Sequence, residues 1–126
     1  MRTGFVIFAH GSPVEAANDA VHAVTAEVSR RTNTAVESAF LECARPTLGD
    51  AIERLVKQGI ESIVVVPYFL TMGIHLRRDL PRIANELRNI YKHVSITIAE
   101  PLDGHPALVD ILVERARQTV DAGKTA

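Results

Sequence analysis

The chain has 126 residues, of which 47% are hydrophobic and 23% are charged, and its formal net charge at pH 7 is −1. This length suits a single domain, residues 1–126, and the composition argues against disorder. The near-neutral charge gives no basis for a nucleic-acid partner. No apolar run approaches the length of a membrane span, which is about 20 residues. The N-terminus lacks a signal-type segment, so we expect a cytoplasmic protein without a membrane partner. Cys43 is the only cysteine, which leaves histidine and carboxylate as metal ligands.

The chain begins with a strand and a helix. Thr3–Ala9 is apolar without polar alternation, as in a central parallel strand that is covered on both faces. The helix runs to about Arg31, because Ser12 and Glu15 have the spacing of a capping box and Pro13 suits the first helical position. Its inner face is expected to be Val14, Ala17, Val21, Val24 and Val28.

A second strand and helix follow. Val36–Glu42 has strand character, and Glu37 within it indicates a less buried position. Pro46 opens the next helix, and Gly59 supplies its left-handed end. The residues expected to face inward from this helix are Leu48, Ile52, Leu55 and Val56.

The third strand, Ser62–Pro67, is as apolar as the first and is therefore also predicted to be central. After a loop, Asp79 is placed to cap a helix that ends near Tyr91 and tolerates Pro81 in its first turn. The predicted inner face of this helix is Leu80, Ile83, Ala84, Leu87 and Ile90.

The fourth strand and helix complete the pattern. Val94–Ala99 alternates strictly, as an edge strand with one wetter face does. The last helix begins around His105 and Pro106, and the polar tail from Asp121 is expected to fray. The residues expected to face inward from this helix are Leu108, Ile111, Leu112 and Ala116.

Four strands alternating with four helices predict an α/β fold, a three-layer sandwich around a four-stranded parallel sheet. Because the first and third strands are the apolar ones, the predicted order is 2-1-3-4. The connections that leave these two strands then lie on opposite faces, which opens a crevice at their carboxyl ends. His10 lies at one side of this crevice, the Tyr68–His75 loop lies at the other, and Glu42 ends the neighbouring strand.

A structural role would also explain each of these residues. His10 could pack its ring under the next helix, while Gly11 and Ser12 could cap that helix or hold an anion. His75 could be a solvated loop residue, and Glu42 could be a surface residue or a partner for Arg45. The two histidines at one predicted crevice favour a functional site over these alternatives.

Several motifs of the chain, taken together, are specific: HGS at His10–Ser12, FLE at Phe40–Glu42 followed by Pro46, VVVPYFLTMGIH at Val64–His75, the RRDLP after it, and EPLDGHP at Glu100–Pro106. In these motifs the chain resembles the short class II chelatases of the CbiX type. These enzymes are related to sirohydrochlorin ferrochelatase and to the archaeal nickel chelatase of coenzyme F430 synthesis. The resemblance covers nearly the whole chain and implies a class II chelatase-like, flavodoxin-like half unit that pairs as a homodimer.

The resemblance also implies roles for individual residues. His10 and His75 would bind the divalent metal, with His10 as proton acceptor and Glu42 at the same site. The tetrapyrrole would contact Arg45, where relatives often carry an acidic residue. It would also contact the loop residues Leu70, Thr71, Met72, Gly73, Ile74 and His75.

Metal insertion needs these residue types, because the ion must lose water, be held over the macrocycle and replace two pyrrole protons. Neutral imidazole suits Co²⁺, Ni²⁺ and Fe²⁺, and two ligands leave coordination positions for pyrrole nitrogens. A histidine whose ordinary pKa is about 6.5 also accepts protons near neutral pH. We therefore expect insertion of Co²⁺, or of Ni²⁺ or Fe²⁺, into sirohydrochlorin, with the metal as substrate and no permanently bound cofactor.

Two other functions are weighed against this expectation. A phosphohistidine phosphatase or mutase also places histidine and glycine after its first strand, but it needs an arginine directly before that histidine, where this chain has Ala9. The second alternative is a non-catalytic carrier of metal or tetrapyrrole that uses the same two histidines. Such a carrier would bind one equivalent and stop.

Overall fold

The computed structural model describes residues 2–125, in which four parallel strands alternate with four helices. The strands are β1 (Thr3–Ala9), β2 (Ala35–Phe40), β3 (Ser62–Pro67) and β4 (Ser95–Ile98). The helices are α1 (Glu15–Thr32), α2 (Leu48–Lys57), α3 (Ile74–Ile90) and α4 (Pro106–Thr125). The sheet order is β2-β1-β3-β4, which confirms the predicted α/β topology.

The main hydrophobic core lies between one face of the sheet and the helices α2 and α3. Val6 and Phe8 of β1 belong to one buried cluster with Ile52 of α2 and Leu80 of α3. Burial contributes about 1.5–3 kcal/mol for each large apolar side chain, so this cluster is the main source of hydrophobic stabilisation. The two apolar strands, β1 and β3, are the central strands of the sheet, and each has a neighbouring strand on both sides.

The opposite face is covered by α1, whose contact with β2 is partly polar. Thr25 is the one residue of α1 that is buried, and its hydroxyl lies 2.7 Å from the hydroxyl of Ser38. His22 Nδ1 lies 2.9 Å from the same Ser38 oxygen, and its ring meets the ring of Phe40 edge-on at 5.3 Å. The predicted inner face of α1 is only partly covered: Val21, Val24 and Val28 are half-buried, whereas Val14 and Ala17 are exposed.

The start of α1 also differs from the prediction. Val14 precedes the first helical residue and no side chain caps the helix, so the predicted capping box is wrong. The Ser12 hydroxyl instead accepts a hydrogen bond from the backbone N–H of Val14. Asn18 holds the same turn, since its Oδ1 accepts from the Ser12 N–H at 3.0 Å and its Nδ2 donates to the Ser12 carbonyl at 2.8 Å.

The capping box of this chain lies at α2. The Thr47 side chain accepts from the N–H of Asp50, and the Asp50 carboxylate accepts from the N–H of Thr47. The hydrogen bond from the Thr47 N–H, together with one from the Thr47 side chain, holds the pKa of the Asp50 carboxylate below its ordinary value. The predicted left-handed end of α2 is present at Gly59, where φ is +83°.

α3 begins six residues before the predicted start. Gly73 precedes its first residue, Ile74, so Asp79 is an internal helical residue and does not cap the helix. Pro81 likewise lies inside the helix and not in its first turn. His75 is therefore held on the first turn of α3, where the prediction had a loop.

α4 does not pack against the sheet as predicted. Leu112 is 69% exposed and Ile111 is 49% exposed, so the expectation that they face inward is wrong. Of the residues from Pro106 to Gly123, Leu108 is the one whose surface is even partly covered. The predicted fraying from Asp121 is also wrong, because the helix continues to Thr125.

Candidate metal and substrate site

Backbone hydrogen bonds join the ends of β1 and β2 at the carboxyl edge of the sheet. The N–H of Leu41 donates to the Ala9 carbonyl at 2.9 Å, and the N–H of Glu42 donates to the His10 carbonyl at 3.0 Å. The pairing of β1 and β2 thus continues past both strands and places His10 beside Glu42. Gly11 permits this approach: its φ is +90°, and a Cβ there would collide with the Glu42 carbonyl oxygen.

The side chains of His10 and Glu42 meet above this backbone. His10 Nε2 lies 3.3 Å from Glu42 Oε1, and the two side chains are 61% and 59% exposed. His10 Nδ1 lies 3.1 Å from the Gly11 carbonyl. A carbonyl only accepts, so this contact assigns the proton of a neutral ring to Nδ1. The lone pair on Nε2 then faces the carboxylate, and a proton or a metal ion between the two would satisfy both.

His10 and His75 line one cavity of about 440 Å³ between the ends of β1 and α3. The structure therefore brings together the two histidines that the sequence pattern selected. The other residues of its wall include the apolar Leu41 and Phe69, and Asp79 and Arg82 from α3. An apolar wall with a few polar groups suits a flat ligand with a polar rim.

His75 has a different partner from His10. Its Nδ1 lies 3.1 Å from a terminal nitrogen of Arg78, one helical turn further along α3. Because a guanidinium only donates, Nδ1 accepts this hydrogen bond, and a neutral ring then carries its proton on Nε2. Metal binding through either nitrogen of His75 requires this contact to change.

The predicted substrate loop divides into three groups. Thr71 and Gly73 line the cavity together with His75. Leu70 and Ile74 are 73% and 80% exposed, so they present apolar surface to solvent. Met72 is partly buried and packs against the hydrophobic core.

Arg45 lies apart from this cavity. Its Nη1 is 3.5 Å from Asp50 Oδ2, and its side chain is 82% exposed. It lines a separate surface groove together with Pro46, Asp50, Glu53, Arg54 and Lys57. The structure thus does not bring Arg45 together with the two histidines.

The prediction missed the contribution of α3 to the site. His75, Asp79 and Arg82 are four and three residues apart, a spacing that places them on one face of a helix. This signal was hidden because Asp79 was predicted to cap the helix, which left His75 in the loop before it. Arg77, on the same helix, donates to the Met72 carbonyl at 2.9 Å and to Asp103 at 2.6 Å, and so joins the substrate loop to the loop after β4.

Two features are absent from residues 2–125. No cluster of three or more His, Cys, Asp or Glu side chains there is arranged to hold a metal ion. No helix in that range combines the length and apolar content of a membrane span.

The fold and this site define a class of α/β protein in which a doubly wound parallel sheet carries a histidine and carboxylate donor set at its carboxyl edge. The chain belongs to the CbiX family, whose family model matches residues 4–119. It is 34% identical over 122 residues to the sirohydrochlorin cobaltochelatase of Saccharolobus solfataricus, an alignment that covers 92% of this chain and 94% of that protein. It is 32% identical to the sirohydrochlorin cobaltochelatase of Sulfolobus acidocaldarius, with 98% and 97% covered.

Solved structures have the same fold. A cobalamin (vitamin B12) biosynthesis CbiX protein from Marinobacter aquaeolei superposes with a TM-score of 0.84 at 28% identity, covering 95% of this chain and 98% of that one. The sirohydrochlorin chelatase SirB from Bacillus subtilis, in complex with cobalt, superposes with a TM-score of 0.81 at 28% identity. That match covers 94% of this chain but 51% of SirB, so this chain corresponds to about half of the SirB chain.

Proposed function

We propose that this protein is a chelatase that inserts a divalent metal, Co²⁺ in the first place, into sirohydrochlorin. The observation that carries the proposal is the cavity at the carboxyl edge of the sheet, which His10 and His75 line together. The relatives named sirohydrochlorin cobaltochelatase support the substrate and the metal. Ni²⁺ and Fe²⁺ are further candidate substrates, because imidazole binds all three ions well.

His10 is assigned two roles in this reaction. With its proton on Nδ1, it offers the Nε2 lone pair first to the metal ion. When the ion moves to the macrocycle, the same nitrogen accepts a proton released from a pyrrole N–H. Glu42, 3.3 Å from that nitrogen, stabilises the imidazolium that results. The pair is open to solvent, so this proton can leave to water, and the same nitrogen can then accept the second pyrrole proton.

His75 is the second metal ligand in this proposal, and Arg78 regulates its availability. The guanidinium must leave His75 Nδ1 before that nitrogen binds the ion, and its positive charge opposes the approach of a cation. The carboxylates of the tetrapyrrole offer Arg78 a stronger, charged partner. Substrate binding would therefore release His75 for the metal.

The macrocycle is assigned to the surface formed by the substrate loop. Leu70, Ile74 and the cavity-lining Thr71 and Gly73 supply apolar and small groups beside the two histidines. Met72 supports this surface from the core side. Arg45 follows Glu42 by three residues in the sequence, and its exposed side chain is assigned to a carboxylate at the rim of the substrate.

We further propose that residues 1–126 act as one chelatase-like domain, in the cytoplasm and as a homodimer. The dimer is supported by the relation to SirB, which is about twice as long as this chain, because one domain supplies half of such a molecule. It is also supported by the exposed apolar side chains of α4, among them Val109 and Leu112.

The test is a spectroscopic assay of sirohydrochlorin metallation with Co²⁺, Ni²⁺ and Fe²⁺ in parallel. We expect multiple turnovers with Co²⁺ in the wild-type chain and none in His10→Ala or His75→Ala, while both variants retain the wild-type circular dichroism spectrum. His93→Ala is the matched control, because His93 is exposed and lies outside the cavity, and it should retain the wild-type rate. Wild-type rates in both cavity variants would contradict the assignment, and a single equivalent bound without turnover would identify a carrier.

A further inference from the structure

Arg77 binds groups from two different loops at the carboxyl edge of the sheet. Its Nε donates to the Met72 carbonyl of the substrate loop at 2.9 Å. Its Nη2 donates to the Asp103 carboxylate, in the loop after β4, at 2.6 Å. We call these two hydrogen bonds the Arg77 bridge. The backbone N–H of Arg77 also donates to the Gly73 carbonyl at 3.0 Å, so this one residue binds two successive carbonyls of the substrate loop.

Arg77 does not face the cavity that His10 and His75 line. It follows His75 by two residues, which is about 200° around a helix with 3.6 residues per turn. Its side chain lines a second cavity, of about 260 Å³, on the other side of the substrate loop. An effect of Arg77 on a macrocycle bound at the two histidines must therefore pass through the loop.

This second cavity lies between the substrate loop, α3 and the end of β4. Apolar side chains form most of its wall, among them Met72, Leu80 and Ile98. Protein interiors are normally close-packed, and here a cavity separates the loop from β4. Packing alone therefore does not fix the distance between them, and the Arg77 bridge spans the same gap with polar contacts.

Asp103 in turn depends on Arg77. Its side chain is 25% exposed, and its second oxygen, Oδ1, is buried without a hydrogen-bond partner among residues 2–125. Without the guanidinium, this carboxylate would be a largely covered charge that has lost its counter-ion, which is unfavourable. A hydrogen bond between two charged groups is also stronger than a neutral one. The two residues therefore hold each other in place.

A second arginine of α3 makes a contact of the same kind at the other end of the helix. Arg88 Nε donates to the Ile96 carbonyl of β4 at 2.8 Å. Arg88 thus also joins α3 to β4, but it lies eleven residues after Arg77 and away from the substrate loop. It provides a matched control for the general stability of the contact between α3 and β4.

We propose that Arg77 is a positioning residue for the tetrapyrrole. The Arg77 bridge fixes the backbone at Met72 and thereby holds Thr71 and Gly73 at the wall of the substrate cavity. This inference rests on the proposed function and adds to that site a residue that does not touch the substrate. Lysine cannot replace Arg77, because a single ammonium group cannot lie at both the Nε and the Nη2 positions.

Steady-state metallation of sirohydrochlorin with Co²⁺ tests this role. We expect Arg77→Lys to raise the KM for sirohydrochlorin about fivefold and to leave kcat within about twofold of the wild type, because the donor residues keep their places. Arg88→Lys loses a comparable hydrogen bond and should keep the wild-type KM. A wild-type KM in Arg77→Lys, or an equal rise in both lysine variants, would overturn the positioning role.

Variants of Asp103 distinguish the bridge from a general loss of stability. Asp103→Asn keeps an oxygen that accepts from Arg77, so its KM should stay within about twofold of the wild type. Asp103→Ala removes this acceptor and should raise KM as much as Arg77→Lys does. The double variant Arg77→Lys/Asp103→Ala should be no worse than either single variant, because both changes break one bridge. Additive increases in KM would mean that the two residues act independently, and would overturn the bridge.

Chymotrypsin reports on the loop without any substrate, because it cleaves after aromatic residues, leucine and methionine. The loop offers four such sites, at Tyr68, Phe69, Leu70 and Met72. We expect cleavage at these sites in native buffer to be about fivefold faster in Arg77→Lys and in Asp103→Ala than in Arg88→Lys and the wild type. Equal cleavage rates in all four proteins would overturn the inference that the bridge holds the loop.

The cleavage rates also separate this inference from the proposed function. Faster cleavage in the two bridge variants of a chain that does not metallate sirohydrochlorin would support the bridge and overturn the chelatase. Metallation with one KM in all variants, together with equal cleavage rates, would overturn the bridge and leave the chelatase.

Discussion

Gly11 links the backbone of β1 to the donor pair, and its replacement is the sharpest test of the site geometry. Its φ of +90° and the collision of an added Cβ with the Glu42 carbonyl oxygen are two separate penalties. Placing a residue with a Cβ in such a conformation lowers the free energy of unfolding by about 1–3 kcal/mol. Relieving the collision requires Glu42 to move away from His10, which weakens a backbone hydrogen bond worth about 0.5–1.5 kcal/mol. We therefore expect Gly11→Ala to lower the free energy of unfolding by about 2–4 kcal/mol.

Gly104 offers a matched control, because its φ is +85° but a Cβ there would meet no atom within 4 Å. Gly104→Ala thus measures the conformational cost alone, and Gly11→Ala adds the collision. Urea unfolding of both variants and the wild type, at one protein concentration, gives the two differences. With a urea dependence of about 2 kcal/mol per molar, the midpoint of Gly11→Ala should fall by about 1–2 M.

The same two variants report on the site. Moving Glu42 separates it from His10 Nε2, so Gly11→Ala should bind Co²⁺ at least tenfold more weakly in an isothermal titration, while Gly104→Ala binds as the wild type does. The inference that this backbone contact sets the positions of His10 and Glu42 would be refuted by two results together. Gly11→Ala would be no less stable than Gly104→Ala, and it would bind Co²⁺ as the wild type does.

Two more predictions concern charged groups. Arg78→Ala removes the guanidinium that occupies His75 Nδ1, so it should raise the affinity for Co²⁺ several-fold in the same titration; Lys57→Ala, which removes an exposed charge on α2, should not. Equal affinities in the two variants would show that Arg78 does not compete with the metal. Asp50 has a lowered pKa in the folded state, so its stabilising contribution is complete above about pH 4 and is lost as the pH falls through the folded value. Between pH 7 and pH 3 the melting temperature of Asp50→Asn should therefore fall less than that of the wild type. An equal decrease would contradict the role of this carboxylate.

The strand order could be predicted because it depends on composition alone. β1 and β3 are apolar throughout, whereas β2 contains Glu37 and β4 alternates, and these differences select the central strands. The placement of His10 and His75 at one cavity followed from the topology, since the carboxyl ends of parallel strands share one edge.

Helix ends were harder to predict, because local signals compete with tertiary contacts. The Ser12 and Glu15 spacing predicted a capping box, but Asn18 binds the Ser12 backbone and holds the turn in another conformation. The Asp79 and Pro81 pair resembled a helix start, although α3 had already begun at Ile74. Periodicity could identify these helices but not their first residues.

The position of α4 could not be predicted from one chain. Apolar residues such as Leu108, Leu112 and Ala116 recur in it at helical spacing, and the natural expectation is that they cover the helix's own sheet. The pattern contains no information on whether the covered surface belongs to the same chain or to another. In the structure α4 follows a loop in which Asp103 binds Arg77 of α3, a contact between residues 26 positions apart that helical spacing does not reveal.

The openness of the donor pair has a consequence for the order of events at the cavity. Backbone bonds determine the spacing of His10 and Glu42, so the pair stays aligned although more than half of each side chain faces water. In the proposed reaction an incoming ion would therefore keep much of its hydration shell when it first arrives. The flat ring would complete the desolvation as it closes over the ion, so metal release into bulk water would compete with capture until the macrocycle is seated.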